Sequence, residues 1–226
     1  MRHSRFAALA ASIGLGLFGI APTQAAFVLT LDDLGTSSAI PDVTVVDEGS
    51  GDSFAGLGTL AYLGSAGNFT VNVTTGISKP EIGPARLSLN SVNITSGTSG
   101  GTLEIKLTDT DYSGSFPAYT ADFGATTNGT VDFNFFQDSA NVEFGEGTNV
   151  SNPAPGGPGT FSGTGIGSIS PSSPFSLTIV AEVTHSGGQT TNLLAGLVPV
   201  PIPSVVYLFG SGLMGLVAVA RRRKAA

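Results

Sequence analysis

Apolar and polar residues alternate along the middle of the chain as they do in half-buried strands. Phe69, Val71 and Val73 are interleaved with Thr70, Asn72 and Thr74. Leu103, Ile105 and Leu107 are interleaved with Glu104, Lys106 and Thr108, and Val131, Phe133 and Phe135 with Asp132 and Asn134. The longest set is Phe175, Leu177, Ile179, Ala181 and Val183. Successive strand side chains point to opposite faces, so each set predicts one face on a core and one in water. Leu87 and Leu89 are followed by Val92 and Ile94, a one-residue change of phase that predicts a bulge or bend. Weaker patterns predict strands at Phe27 to Leu31, Val43 to Val46 and Thr59 to Leu63. Turn-forming clusters at Ser96 to Gly101, Thr126 to Gly129 and Ser186 to Gly188 separate them. Ser151 to Gly159, rich in Pro and Gly, predicts a long loop or a break between two sheets.

No amphipathic helical period occurs between Ala26 and Leu197. About ten short strands predict an all-β, antiparallel β-sandwich of jelly-roll-like form. A β-helix is the runner-up, and no fixed repeat supports it. Composition agrees: Gly reaches 32 residues and charged residues only 11%, which favours short strands and tight turns over long surface helices. With no cysteine, packing and backbone pairing hold the fold without disulfides.

The net charge of −7 conceals an asymmetry. All 16 acidic residues lie between Ala26 and Leu197, opposed there only by Lys79, Arg86 and Lys106, which leaves that region near −13. Such a surface repels nucleic acid and anionic lipid, and is compatible with divalent cations and with uncharged or cation-bridged polysaccharide.

The two ends carry transport patterns. Arg2 and Arg5 precede an apolar run from Phe6 to Ala21, and Thr23 and Ala25 stand at −3 and −1 of a cleavage after Ala25. This is the order of a secretory signal peptide over residues 1–25. At the other end Ser204 to Ala220 is uncharged and long enough for one transmembrane helix. Arg221, Arg222, Arg223 and Lys224 follow and hold the C-terminus on the cytoplasmic side. Gly210, Gly212 and Gly215 spell G-x-G-x-x-G, but inside an apolar span without the βα context that nucleotide binding requires.

Residues 198–226, with Val198-Pro199-Val200-Pro201, an apolar span containing Leu208 to Leu216 and a terminal Arg cluster, resemble the PEP-CTERM sorting signal. Val200 stands where Pro-Glu-Pro has its acid, so the tail looks like the Val-Pro-Leu-Pro-type variant. The resemblance implies an exosortase-like membrane processing enzyme as partner. It also implies transient anchoring in the inner membrane of a Gram-negative bacterium, then delivery to the cell surface or an exopolysaccharide matrix. Prolines just before the span favour an extended segment that a processing cleft can bind.

Candidate chemistry inside the domain is sparse. Asp109 and Asp111, at i and i+2 near a strand end, are the candidate Ca²⁺ ligands, since such residues share a face. Asp47, Glu48 and Asp52 form a second acidic loop, and Glu143 and Glu146 a third. Gly97-Thr98-Ser99-Gly100-Gly101 fits G-x-S-x-G, but it lies between two predicted strands rather than on a strand-to-helix elbow, and reads as a hairpin turn. His185 is the one histidine beyond the signal segment. Five N-x-S/T matches, at Asn68, Asn72, Asn93, Asn128 and Asn149, carry no meaning in a bacterial chain.

The leading expectation is therefore an exported, non-enzymatic surface or matrix protein with no cofactor. The alternative is a Ca²⁺-dependent carbohydrate-binding module, with Tyr112, Phe116 and Tyr119 as exposed rings for stacking on sugars. A secreted hydrolase is third, lacking a catalytic set.

Overall fold

The computed structural model describes residues 26–36, 40–83, 85–169 and 173–200, with 209, 213 and 214 besides. The strands are β1 (Val28–Asp33), β2 (Val43–Val46), β3 (Thr59–Ala66), β4 (Phe69–Ile77), β5 (Leu87–Ser96) and β6 (Gly101–Tyr112). They continue with β7 (Ala118–Thr127), β8 (Thr130–Asp138), β9 (Thr148–Ser151), β10 (Gly159–Ser168), β11 (Phe175–His185) and β12 (Thr190–Pro199). They form two six-stranded sheets, one in the order β2-β1-β6-β11-β8-β9 and the other β10-β7-β12-β5-β4-β3. Every strand pairing is antiparallel, which fits the predicted sandwich and excludes the parallel coils of a β-helix. Hairpins join β1 to β2, β3 to β4, β4 to β5, and β8 to β9, and the remaining connections cross between the sheets.

Inward residues of the alternating sets meet in one core. Phe69, Val71 and Val73 from one sheet and Phe133, Phe135, Leu107 and Ile179 from the other belong to it, all 1% exposed or less. Each such side chain contributes about 1.5–3 kcal/mol on burial. The phase change in β5 is a bulge. Leu89 pairs with Ala195 and Val92 with Leu193, so Asn90 and Ser91 together oppose Leu194, and Ser91 takes φ 49°.

β10 carried no alternating apolar signal, because its inward positions are glycines. A Cβ at Gly163 would run into the Phe123 ring, one at Gly165 into Ser151, and one at Gly167 into the Val150 backbone. The missing side chains let this edge strand lie close over β9 and the aromatic core. The Pro- and Gly-rich segment before it does break between sheets, leaving β9 in one and entering β10 in the other.

The outward face of the first sheet is partly covered. The turn after β8 folds back so that the Phe144 N–H donates to Thr108 Oγ1 at 3.2 Å. Thr108 and Thr178, outward by register, are thereby fully buried and bond each other at 3.1 Å.

β12 runs further than the predicted boundary at Leu197. Val198 pairs with Thr120, Pro199 with Tyr119, and the Val200 N–H donates to the Ala118 carbonyl at 2.9 Å. The proline is tolerated at the strand end, where the β5 partner has already stopped at Leu87. Val198, Pro199 and Val200 thus belong to the sandwich, at the end of the interior strand β12. Ala25, Pro201, Arg221, Arg222, Arg223 and Lys224 lie outside the described residues, as do the signal segment and most of the apolar span. Phe209, Leu213 and Met214 are helical and exposed. Among the described residues no helix is long and apolar enough to cross a membrane.

Candidate functional site

The two candidate Ca²⁺ ligands do not share a face. Asp109 points inward from β6 and is 1% exposed. Its Oδ2 accepts from Ser78 Oγ at 2.5 Å and from Lys79 Nζ at 2.7 Å. A bulge follows, with Phe175 opposite Tyr112 but Leu177 opposite Asp109, and Asp111 takes φ 59°. Asp111 is turned to the covering segment, where its N–H donates to Asn141 Oδ1 and its Oδ1 accepts from Asn141 Nδ2. Among the described residues no three His, Asp or Glu side chains converge as metal ligands.

The rings expected to stack on sugars are core residues. Tyr112 and Tyr119 are fully buried, and Phe116 packs edge-on against Tyr119 at 5.9 Å. Burial raises both phenols, that of Tyr112 with the Asp109 charge as second cause. The bulge after Asp109 explains Tyr112: one extra residue moves it to the inner face. Tyr119 lies inward by the register of β7.

The G-x-S-x-G segment connects β5 to β6, which lie in different sheets, so it is a crossing turn and not the expected hairpin. Ser99 is exposed, while His185 is 3% exposed and its Nε2 engages Thr191 Oγ1 at 2.7 Å. Burial holds the imidazole below its ordinary value. The acidic loop after β2 is a backbone clasp. Asp47 Oδ2 accepts from Gly58 N, and Asp52 Oδ1 from Phe54 N and Ala61 N. Glu146, of the third acidic cluster, pairs with Lys106 at 3.4 Å.

Register gathers two side-chain rows that no local pattern reveals. On the outward face of the first sheet Asp32, Glu104, Glu182 and Asp132 stand side by side on β1, β6, β11 and β8. Lys106 reaches only Glu104 of these, at 3.3 Å. Glu182 has a raised pKa, first from burial and then from the Glu104 and Asp132 charges. A carboxyl raised in the folded state destabilises it above that raised pKa, and the penalty disappears below the ordinary value of 4.5. Glu182→Gln therefore stabilises the domain at pH 7 by about 0.5 kcal/mol, solvent screening keeping the effect small. Urea denaturation at both pH values checks this: the gain shrinks as pH falls and is gone at pH 4. A gain unchanged with pH would show that charge is not its cause.

On the outward face of the second sheet the row runs Leu63, Asn72, Asn93, Asn192, Thr126, Thr160, one residue from each of β3, β4, β5, β12, β7 and β10. All six are exposed. Asn192 Nδ2 donates to Asn93 Oδ1 at 2.7 Å, Asn93 Nδ2 to the Ser91 carbonyl at 3.3 Å, and the Thr126 and Thr160 hydroxyls bond at 3.0 Å. A parallel row of Ser65, Thr70, Thr95 and Thr190 lies beside it. Leu63, Leu194 and Ile166 are the exposed apolar side chains of this face, at 70%, 49% and 72%. Its acid, Asp122, accepts from Thr164 Oγ1 at 3.0 Å.

No protein-family model and no curated protein matches the chain. Solved structures that align with part of the chain include TmCBM61 in complex with β-1,4-galactotriose, at 14% identity and TM-score 0.33 over 61% of this chain and 92% of that one. The N-terminal cellulose-binding domain of Cellulomonas fimi β-1,4-glucanase C aligns at 14% identity and TM-score 0.33, over 50% of this chain and 80% of that one. The enzymatically active domain of bacteriophage CBA120 tailspike protein 4 aligns at 16% identity and TM-score 0.33, over 58% of this chain and 19% of that one.

Proposed function

We propose that this chain is an exported, non-catalytic surface protein whose sandwich holds a neutral polysaccharide on the outward face of its second sheet. The observation that carries the reading is the in-register row Asn72, Asn93, Asn192, Thr126 and Thr160. Neighbouring strands lie about 4.8 Å apart, so the row presents donors and acceptors at near-regular steps across the sheet. An amide offers both in one plane, as vicinal sugar hydroxyls require. It is uncharged, so its desolvation costs far less than that of a carboxylate. Asn72 makes no side-chain hydrogen bond with another described residue and is free for a ligand. Leu63, Leu194 and Ile166 supply apolar patches for the C–H faces of sugar rings.

Charge narrows the class. The domain's excess of acid repels anionic polymers, and the amide row itself carries no charge. A neutral polysaccharide is therefore the expected ligand. Affinity electrophoresis of the mature domain through gels cast with neutral polysaccharides tests this. Retardation in a neutral gel, absent in a polyuronate gel, is the expected result. Free mobility in every neutral gel would remove the reading.

The sorting role is proposed on the two transport patterns, which lie almost wholly outside the described residues. An exosortase-like enzyme would release the domain near Pro201, beside the strand end formed by Pro199 and Val200. Mass spectrometry of the protein from its native host is expected to find an N-terminus at Ala26 and no residues 204–226. A C-terminus at Ala226 would exclude processing.

A further inference from the structure

The end of β4 and the inner face of β6 belong to different sheets and meet at a buried polar junction. Asp109 reaches it from β6, and Ser78 and Lys79 come directly after β4. Lys79 Nζ lies 2.7 Å from Asp109 Oδ2, donates also to the Thr110 carbonyl, and stands 4.2 Å from the centre of the Tyr112 ring. Ser78 Oγ donates to the same Oδ2, and Tyr112 OH lies 2.5 Å from Ser78 Oγ and donates to the Arg86 carbonyl at 2.8 Å. The other oxygen, Asp109 Oδ1, is buried without a partner.

A second carboxyl is tethered to this junction. Asp47 Oδ2 accepts from Gly58 N at 2.7 Å, and the Gly58 carbonyl accepts from Ser78 N at 2.9 Å. Asp47 Oδ1 is likewise buried without a partner. Burial raises the Asp47 carboxyl against the Gly58 hydrogen bond, and the Asp52, Glu48 and, least, Asp109 charges act in the same direction as burial.

We propose that Lys79 and Asp109 condense into an intramolecular amide that joins the two sheets covalently. Within the ion pair the ammonium passes one proton to the carboxylate, which leaves a neutral amine beside a neutral acid. The Nζ lone pair forms a bond to Cγ. The Cγ–Oδ1 bond then breaks, and Oδ1 departs as water with the transferred proton and a second one from Nζ. The protons move between Nζ and the two oxygens of the same carboxyl group, so the pair itself supplies both hydrogens of the water. No oxidant or cofactor is required.

The product suits the contacts already present. Oδ2 becomes an amide oxygen that still accepts from Ser78. The remaining N–H still faces the Thr110 carbonyl. The atom that leaves is the one without a partner. Two charges disappear from a site in which one of them is almost wholly buried, which removes their desolvation penalty. Fixed proximity of the reacting atoms supplies the effective concentration that a bimolecular condensation lacks.

Intact mass spectrometry of the mature chain tests the inference. The expected mass is about 18 Da below that of the sequence, the loss of one water. Trypsin should then yield one branched species joining the peptide that ends at Arg86 to the peptide that begins at Leu107. Lys79→Arg keeps a cation at the site and should restore the full mass. A wild-type chain at full mass, or a water loss with those two peptides separate, would overturn the proposal.

Discussion

Lys79→Ala lowers the stability of the sandwich by about 3–5 kcal/mol, because it leaves the Asp109 carboxylate buried and uncompensated. Asp109 is 1% exposed and its Oδ1 already lacks a partner. Its other oxygen would retain Ser78 Oγ alone. The loss of Lys79 also frees the Thr110 carbonyl and the face of Tyr112. That magnitude is the one for the ionic pair; in the condensed form the same variant also removes the covalent link between the sheets. Lys106→Ala is the matched control. Lys106 pairs with Glu104 and Glu146 at 3.3 and 3.4 Å on the outward face, in contact with water. Such pairs contribute about 0–1 kcal/mol. Urea unfolding of the two variants beside the wild type measures the contrast. Equal losses would show that Asp109 is not held as a buried charge.

Replacing Asn72, Asn93 and Asn192 together with alanine abolishes most polysaccharide binding while the domain stays folded. A neutral hydrogen bond contributes about 0.5–1.5 kcal/mol, so three lost contacts weaken binding by about tenfold or more. The three side chains are exposed and support no core residue, so the stability change stays within about 1 kcal/mol. Glu182→Gln, on the opposite sheet, serves as a binding control and leaves retardation unchanged. Isothermal titration with an oligosaccharide of the retained polymer gives the affinities. Undiminished binding by the triple variant would move the site off this face.

The two outcomes depend on different kinds of information in the chain. Strands with large apolar residues on one face were legible because an alternating pattern has one low-energy placement: Phe175 to Val183 can bury its five apolar side chains only as a strand facing the core. The phase change between Leu89 and Val92 was legible for the same reason, since one extra residue must be absorbed to keep both pairs inside. β10 was not, because Gly163, Gly165 and Gly167 fit the interior by lacking side chains, and an empty position has no hydropathy signal. The run of β12 through Pro199 was hidden by a proline motif that also reads as an extended tail.

The sites were less legible than the strands. Asp109 and Asp111 looked like a pair because the i, i+2 rule assumes a regular strand, and the bulge opposite Ser176 breaks that regularity. Tyr112 and Tyr119 sit beside Gly and Pro, as loop residues do, yet register turns both rings inward. Asn72, Asn93 and Asn192 are separated by long stretches of sequence, and each alone is an ordinary polar residue on a strand's wet face.

The amino-acid sequence by itself determined the all-β class, the strands with apolar faces, the acidic charge and the absence of disulfides. These follow from period, composition and residue chemistry, which need no knowledge of neighbours. Only the tertiary structure decided which strands became neighbours, and hence the carboxylate row, the amide row and the meeting of Lys79 with Asp109. Cross-strand contacts depend on register between distant segments, and a linear pattern constrains the face of a side chain without naming the residue that stands beside it.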